Sequence, residues 1–340
     1  MKRIHKVAIL GAGTMGARIA AHFANAGVPS YLFDIVPPDA DGPARNKIAA
    51  AGLEGARKSK PAAFFEPSLA KLITVGNFED DLKKLGEVDW IIEAVVENLD
   101  IKRALLEKVN SARKPGTIIT TNTSGLPVGK IADGFPEDFR RSWFGTHFFN
   151  PPRYMRLLEL IPTPDTDRSV LEAVAWFSDV RLGKGVVYAK DTPNFIGNRI
   201  GTFSVLNVMR LMQEMDMTIE DVDSLTGTPV GWPKSATFRT IDLVGLDILG
   251  HVVSNMWEVY RAWQCGNSLQ RRTGESLRHI SPQRHSDTEK VFGEAVFPTF
   301  AVAMNQHSPK SARRLRNRRG RQQQRGRRSR CWRDSAKNSA

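Results

Sequence analysis

The stretch KVAILGAGTMGARIAAHFANAG, residues 6–27, decides the fold. Residues 4–10 form an apolar run that stops at glycines, and the residues after it keep helical spacing to about Gly27. That is a strand, a tight turn and a helix, with the glycines in a G-x-G-x-x-G pattern. Gly11 permits the turn, Gly13 lets a pyrophosphate approach the backbone, and Gly16 lets helix and strand pack closely. Thr14 and Met15 complete the phosphate-binding turn, whose free N–H groups and helix dipole favour an anion. The next apolar segment, PSYLFD (29–34), is a second strand ending at Asp34, about twenty residues on, where a carboxylate holds ribose hydroxyls. An acid there repels the extra phosphate of NADP, so the expected cofactor is NAD.

Outward from this unit, strand and helix patterns alternate. Residues 45–58 read as a helix weakened by Gly52 and Gly55. VDWIIEAV (88–95) and GTIITT (116–121) read as short strands, with a helical stretch from Asp100 to Ala112 between them. SWFGTHFF (142–149) and LLELI (157–161) add two more strands. Alternation of this kind predicts an α/β fold, a Rossmann-type doubly wound parallel sheet. It is expected to fill a first domain, 1–188.

After KDTPNFIGNR (190–199) the pattern turns helical. Residues 195–215 predict a long buried helix, TIEDVDSLT (218–226) a short capped one, and 241–260 another. This gives a smaller all-α domain, 189–260. Past Tyr260 the periodicity fades, and 261–340 is expected to be a basic, low-complexity, disordered tail.

Composition narrows the class. Apolar residues are 41% of the chain, which fits a globular protein, and no apolar run of ~18 residues exists to span a membrane. The net charge of +13 suggests nucleic acid until it is localised. Residues 310–333 hold 12 Lys or Arg and no acid, and removing them leaves +1. Those arginines lack interleaved aromatics apart from Trp332, so stacking platforms are missing and no nucleic-acid partner is expected. The basic start and short apolar run at the N-terminus imitate a signal peptide, but Arg18 and the glycines interrupt it. Two cysteines, Cys265 and Cys331, are too few for a disulfide framework, so a reducing cytoplasm is expected.

Two further stretches carry chemistry. TNTSG (121–125) lies just past the C-terminal end of an expected parallel strand, the edge where such sheets bind ligands. Asn122 and Ser124 offer polar side chains there, although on their own such residues are more often turn formers than ligands. HFFNPPRYMRLLELIP (147–162) places Glu159 among Leu157, Leu158, Leu160 and Ile161, so neither face of that strand is polar. A buried carboxylate needs a partner. The reversal at Asn150-Pro151-Pro152 folds the strand back toward His147. A carboxylate on one imidazole nitrogen fixes the tautomer and makes the other nitrogen a better base, as alcohol oxidation by hydride loss requires.

GAGTMG, EAVVENLDIK (93–102), TNTS, HFFNPPRYMRLLELIP and KDTPNFIGNRI occur in the order and spacing of the L-3-hydroxyacyl-CoA dehydrogenases of fatty-acid β-oxidation, and the chain resembles that family over roughly residues 4–258. VDSLTGTPVGWPKSATFRTIDLVGLDILGHV (222–252) is similar to the long bacterial members, which often continue into an enoyl-CoA hydratase region. The resemblance implies NAD-dependent oxidation of an L-3-hydroxyacyl-CoA to a 3-ketoacyl-CoA. It implies His147 as catalytic base, Glu159 as its orienting carboxylate, Ser124 as a contact to the substrate oxygen, and Asn198 across the substrate from the histidine. It also implies Glu97 and Lys102 near the nicotinamide end and its ribose, and Asn150 as a cofactor contact. No metal is implied, and the partners are an acyl-CoA and a second copy in a homodimer.

The chain departs from the family in two places. The Gly-Trp-Leu-Gly…Gly-Gln-Gly-Phe-Tyr type segment that closes the family's helical domain is missing from this sequence. The arginine-rich run after about residue 260 suggests a disrupted reading frame or an incomplete gene copy. The runner-up reading is therefore a catalytically impaired NAD-binding relative.

Overall fold

Alternation of side chains along the first strand builds both faces of the molecule's main layer. Val7 and Ile9 point to one side and Ala8 and Leu10 to the other, and all four are fully buried. The computed structural model describes residues 3–246, 249–250 and 252–253. In chain order the strands and helices are β1 (Val7–Leu10), α1 (Thr14–Asn25), β2 (Ser30–Asp34), α2 (Lys47–Lys58), β3 (Ile73–Asn77), β4 (Trp90–Glu93), α3 (Leu99–Ala112), β5 (Ile118–Thr121), α4 (Val128–Ile131), α5 (Glu137–Arg141), β6 (Trp143–Phe148), β7 (Leu157–Pro162), α6 (Arg168–Val180) and β8 (Gly185–Tyr188).

The eight strands form one sheet in the order β3-β2-β1-β4-β5-β6-β7-β8. Every neighbouring pair is parallel except β6 and β7, which run antiparallel through the Asn150-Pro151-Pro152 reversal. The order turns back between β1 and β4, so the carboxyl ends of these strands open a crevice of the kind that binds dinucleotides. The Rossmann-type expectation holds. β3, β8, α4, α5 and α6 go beyond the elements expected from sequence.

The sheet is covered on both faces. On one, α1, α2 and α6 bury Phe23, Trp90 and Phe177, with the Phe23 and Trp90 rings edge-on at 5.3 Å. On the other, Leu105 and Val109 of α3 pack on Leu10, Phe33 and Ile91. Beneath β5 and β6, Phe135, Phe139 and Trp143 stack in series at 4.4 and 5.5 Å. Each such side chain contributes ~1.5–3 kcal/mol on burial.

The chain divides into two compact units at Arg199/Ile200. α7 (Gly197–Glu214) carries the backbone into the second unit, which also holds α8 (Ile219–Leu225) and α9 (Phe238–Val244). The expected capped helix is α8: Thr218 and Asp221 form a reciprocal capping box. Asp223 then accepts the N–H groups of Phe238 and Arg239 and ties α8 to the start of α9.

Two helix expectations need correction. The helix over 195–215 begins at Gly197, because Asn194 and Phe195 have φ of 57° and 47° and cannot join it. Nor is it buried: along α7 Thr202 and Leu206 alone are, while Ile200, Phe203 and Leu211 are exposed. An apolar composition does not reveal which face finds a partner. The helix expected over 241–260 is broken near its start: α9 runs Phe238–Val244 and ends at Gly245 with φ 103°, and helical backbone is found again at 246, 249–250 and 252–253. The rest of that stretch, both cysteines and the tail 261–340 lie outside the described residues.

Candidate active site

The three glycines of the turn divide by what surrounds them. Gly11 has φ 102°, and a Cβ on it would lie 2.5 Å from the Ala94 carbonyl oxygen. A Cβ on Gly16 would lie 1.8 Å from the carbonyl oxygen of Gly11. Packing therefore dictates glycine at both positions. At Gly13 a Cβ would meet nothing within 4 Å, so the protein itself does not require glycine there. The open space lies at the N-terminus of α1, where no side chain caps the first N–H groups. Backbone pairing within the helix begins with Ala17, which donates to Gly13 at 3.0 Å. An open cradle, free N–H groups and the helix dipole suit a pyrophosphate, so the residues fit a dinucleotide. Asp34, at the carboxyl end of β2, accepts the Ala12 N–H at 2.5 Å and the Ile35 N–H at 2.7 Å. Its carboxylate is thereby fixed against the turn.

A charged network closes the carboxyl ends of β4 and β5. Glu93 is fully buried and accepts the Lys102 ammonium at 2.7 Å, the Thr121 hydroxyl at 2.6 Å and the Val95 N–H at 2.7 Å. Lys102, itself 1% exposed, also reaches Glu97 at 3.4 Å. Glu97 accepts the Thr123 hydroxyl and the N–H groups of Ser124, Gly125 and Leu126. Burial pulls the Glu97 carboxyl upward, but the Lys102 charge and these donors outweigh it and hold the group below its ordinary range. Within this arrangement Lys102 and Glu97 shape the loop that presents Ser124. The Ser124 hydroxyl makes no hydrogen bond among the described residues. The Asn122 side chain accepts the Phe148 N–H at 2.9 Å and so joins this loop to the end of β6.

His147 and Glu159 face each other directly across the β6–β7 ladder. The imidazole Nδ1 and the carboxylate Oε2 are 2.7 Å apart, with the side chains 6% and 0% exposed. The other oxygen, Oε1, accepts the N–H groups of Ile196 at 3.0 Å and Gly197 at 2.7 Å. Burial raises the Glu159 carboxyl, yet the imidazole and the two N–H donors prevail and keep it low and ionised. An ionised partner at Nδ1 makes that nitrogen the donor, so in the neutral imidazole Nε2 is the acceptor. Nε2 has no hydrogen-bond partner among the described residues and is not among the sealed, unsatisfied atoms. The rings of Phe149 and Phe195 flank the imidazole at 4.5 and 5.6 Å.

The remaining sequence-expected residues fall around this pair. Asn150 opens the reversal and accepts the Arg18 guanidinium of α1 at 2.6 Å. Asn198 follows Gly197 in the first turn of α7, one residue from the Glu159 contact. Sequence reasoning missed Glu93, Thr121, Asp191 and Lys184. The last is a buried lysine donating to the carbonyls of Pro152 and Met155, and burial lowers its ammonium to about 8. A lysine or glutamate at the end of an apolar segment was the available signal for Glu93 and Lys184. Their partners are backbone groups or distant side chains. No cluster able to hold a metal occurs among the described residues.

Comparisons with known proteins point the same way. The family model for the 3-hydroxyacyl-CoA dehydrogenase NAD binding domain matches residues 6–192, and that for the C-terminal domain of the same family matches 195–278. The family pattern thus runs past residue 260, where the sequence reading ended it. A probable 3-hydroxyacyl-CoA dehydrogenase of Deinococcus radiodurans is 51% identical over 254 residues, covering 75% of this chain and 73% of the relative. A probable 3-hydroxyacyl-CoA dehydrogenase of Bacillus subtilis is 46% identical over 269 residues; the match takes in 76% of this chain but only 34% of that longer protein. The crystal structure of FadB2 from M. tuberculosis superposes with a TM-score of 0.64 at 31% identity, over 76% of this chain and 88% of that one.

Proposed function

Because the chain belongs to the 3-hydroxyacyl-CoA dehydrogenase family, whose members are NAD-dependent oxidoreductases, we propose that His147 and Glu159 are its proton-transfer pair. The substrate in this reading is an L-3-hydroxyacyl-CoA and the product a 3-ketoacyl-CoA. His147 Nε2 takes the hydroxyl proton, and Glu159 holds the imidazole so that Nε2 faces the substrate and carries the imidazolium charge that forms. Ser124 donates to the same substrate oxygen, and Asn198 bounds the site opposite the histidine. Gly13 and the start of α1 hold the pyrophosphate, Asp34 a ribose, and Glu97, Lys102 and Asn150 the nicotinamide end, directly or through the loops they fix. Bound NAD supplies the hydride acceptor for C3. A NAD-binding domain over 1–188, a helical domain over 189–260, a homodimer, a cytoplasmic location and a place in fatty-acid β-oxidation complete the proposal.

One observation carries it: the buried 2.7 Å contact between residues in direct register, with the far ring nitrogen open. That intact pair also argues against an impaired relative. The test is NADH consumption with acetoacetyl-CoA, followed by its near-ultraviolet absorbance. Turnover is expected, and His147→Ala should lower kcat by ~10²–10⁴, the usual range for loss of a general base. NADH binding without turnover would refute the proposal.

A further inference from the structure

Resting on the assignment of His147 and Glu159 above, we propose that Asp191 is a positioning residue, clamping residues 191–197 into a strap that fixes the Glu159 carboxylate. Asp191 belongs to no helix or strand. Its Oδ1 accepts the Val128 N–H at 2.9 Å and its Oδ2 the Gly129 N–H at 2.8 Å, so both oxygens cap the first turn of α4. The approach is close, since a Cβ on Gly129 would lie 3.3 Å from that carboxylate. α4 follows directly on the loop that presents Ser124. The front of the strap is therefore pinned to the far side of the site.

The rear of the strap is pinned to Glu159 through the N–H groups of Ile196 and Gly197. A side chain at 197 would block that contact, because a Cβ there would sit 2.6 Å from the Phe149 ring. Between the two pins, Asn194 and Phe195 both occupy the left-handed region, at φ 57° and 47°. Two consecutive non-glycine residues there are strained, and such a backbone persists only where its surroundings over-determine it. Phe195 is buried against the imidazole, which adds a third point of attachment. Release of the front pin lets Asn194 and Phe195 relax to ordinary φ. The two N–H groups then withdraw from Oε1, and Glu159 is free to turn away from Nδ1. Asn198, the next residue along, shifts with them.

The test is a double-mutant cycle in the full chain. Asp191→Ala and the milder Asp191→Asn are each made alone and in a Glu159→Gln background, with folding checked by thermal melting. Misplacement of a reacting group by about 1 Å costs up to ~10²-fold. Asp191→Ala should thus lower kcat ~10- to 100-fold while the KM for NADH stays within about twofold. Asp191→Asn, which keeps one acceptor, should retain part of the rate and serves where the alanine variant does not fold. In the Glu159→Gln background neither change should lower kcat much further, because the contact they protect is already lost. Equal losses in both backgrounds, or no loss in the otherwise native chain, would overturn the strap. If His147→Ala leaves kcat unchanged, the assignment beneath it falls instead, and the strap falls with it.

Discussion

Glu159 uses both of its oxygens, one on His147 and one on two backbone N–H groups, and that division explains how a carboxylate stays charged inside the sheet. Asp34 poses the matching question at the cofactor end. In the proposed cofactor site its carboxylate, held against the turn by the Ala12 N–H, would oppose the extra phosphate of NADP. NAD should accordingly show the higher kcat/KM, and equal values for the two cofactors would refute the role of Asp34. A third buried group affects stability rather than chemistry. His22 touches the Leu182 carbonyl at 3.1 Å through Nε2, while its Nδ1 is sealed without a partner. Burial first, and then the nearby Lys184 charge, lower its pKa from 6.5 to about 3. The unfolded chain therefore binds a proton between pH 6.5 and about 3 that the folded chain refuses. Stability attributable to His22 is complete above pH 6.5 and falls as the pH drops, by about 1.4 kcal/mol per pH unit in that window. Denaturant melts of the native chain and of His22→Gln should differ in this acid slope. Parallel slopes would show that His22 is not the cause.

At the scale of the element, the turn between β1 and α1 makes the sharpest contrast. Gly16→Ala drives a methyl group into the Gly11 carbonyl and should prevent normal folding, whereas Gly13→Ala meets open space. Gly13→Ala should melt within a few degrees of the native chain but bind NADH weakly in a fluorescence titration. Normal NADH affinity in that variant would show that the cradle does not hold the pyrophosphate. The same turn shows what the sequence made legible. Regular periodicity and glycine spacing marked β1, α1 and β2 because their signals are local. β3 was passed over: ITVGN is short, one of its five residues is glycine, and Thr74 faces solvent. β8 is an edge strand whose Val187 and Tyr188 are exposed, so it carries no buried alternation. The His147–Glu159 pair was legible because an ionisable residue in an apolar strand demands a partner across a short reversal. Its second set of partners was not, because the N–H groups of Ile196 and Gly197 reach it only through the left-handed backbone at Asn194 and Phe195. Asp191 was hidden because its partners, the N–H groups of Val128 and Gly129, lie 63 and 62 residues away along the chain.

Across the whole molecule, one sheet assembles residues from five separated stretches of chain at the carboxyl ends of its strands. Asp34 comes from β2, Glu93 and Glu97 from the end of β4 and the loop beyond it, and Ser124 from the loop after β5. His147 comes from β6, and Glu159 returns antiparallel on β7. The family membership rests on the full run of these motifs, while the chemistry rests on one pair within it. The most direct test is therefore the kcat of the native chain, His147→Ala, Glu159→Gln and the double variant, measured with acetoacetyl-CoA and NADH. If histidine and glutamate act as a unit, the double variant should be about as slow as His147→Ala alone, ~10²–10⁴ below the native rate, with NADH affinity preserved. A double variant whose loss is the product of the two single losses would contradict the account and give Glu159 a role apart from His147.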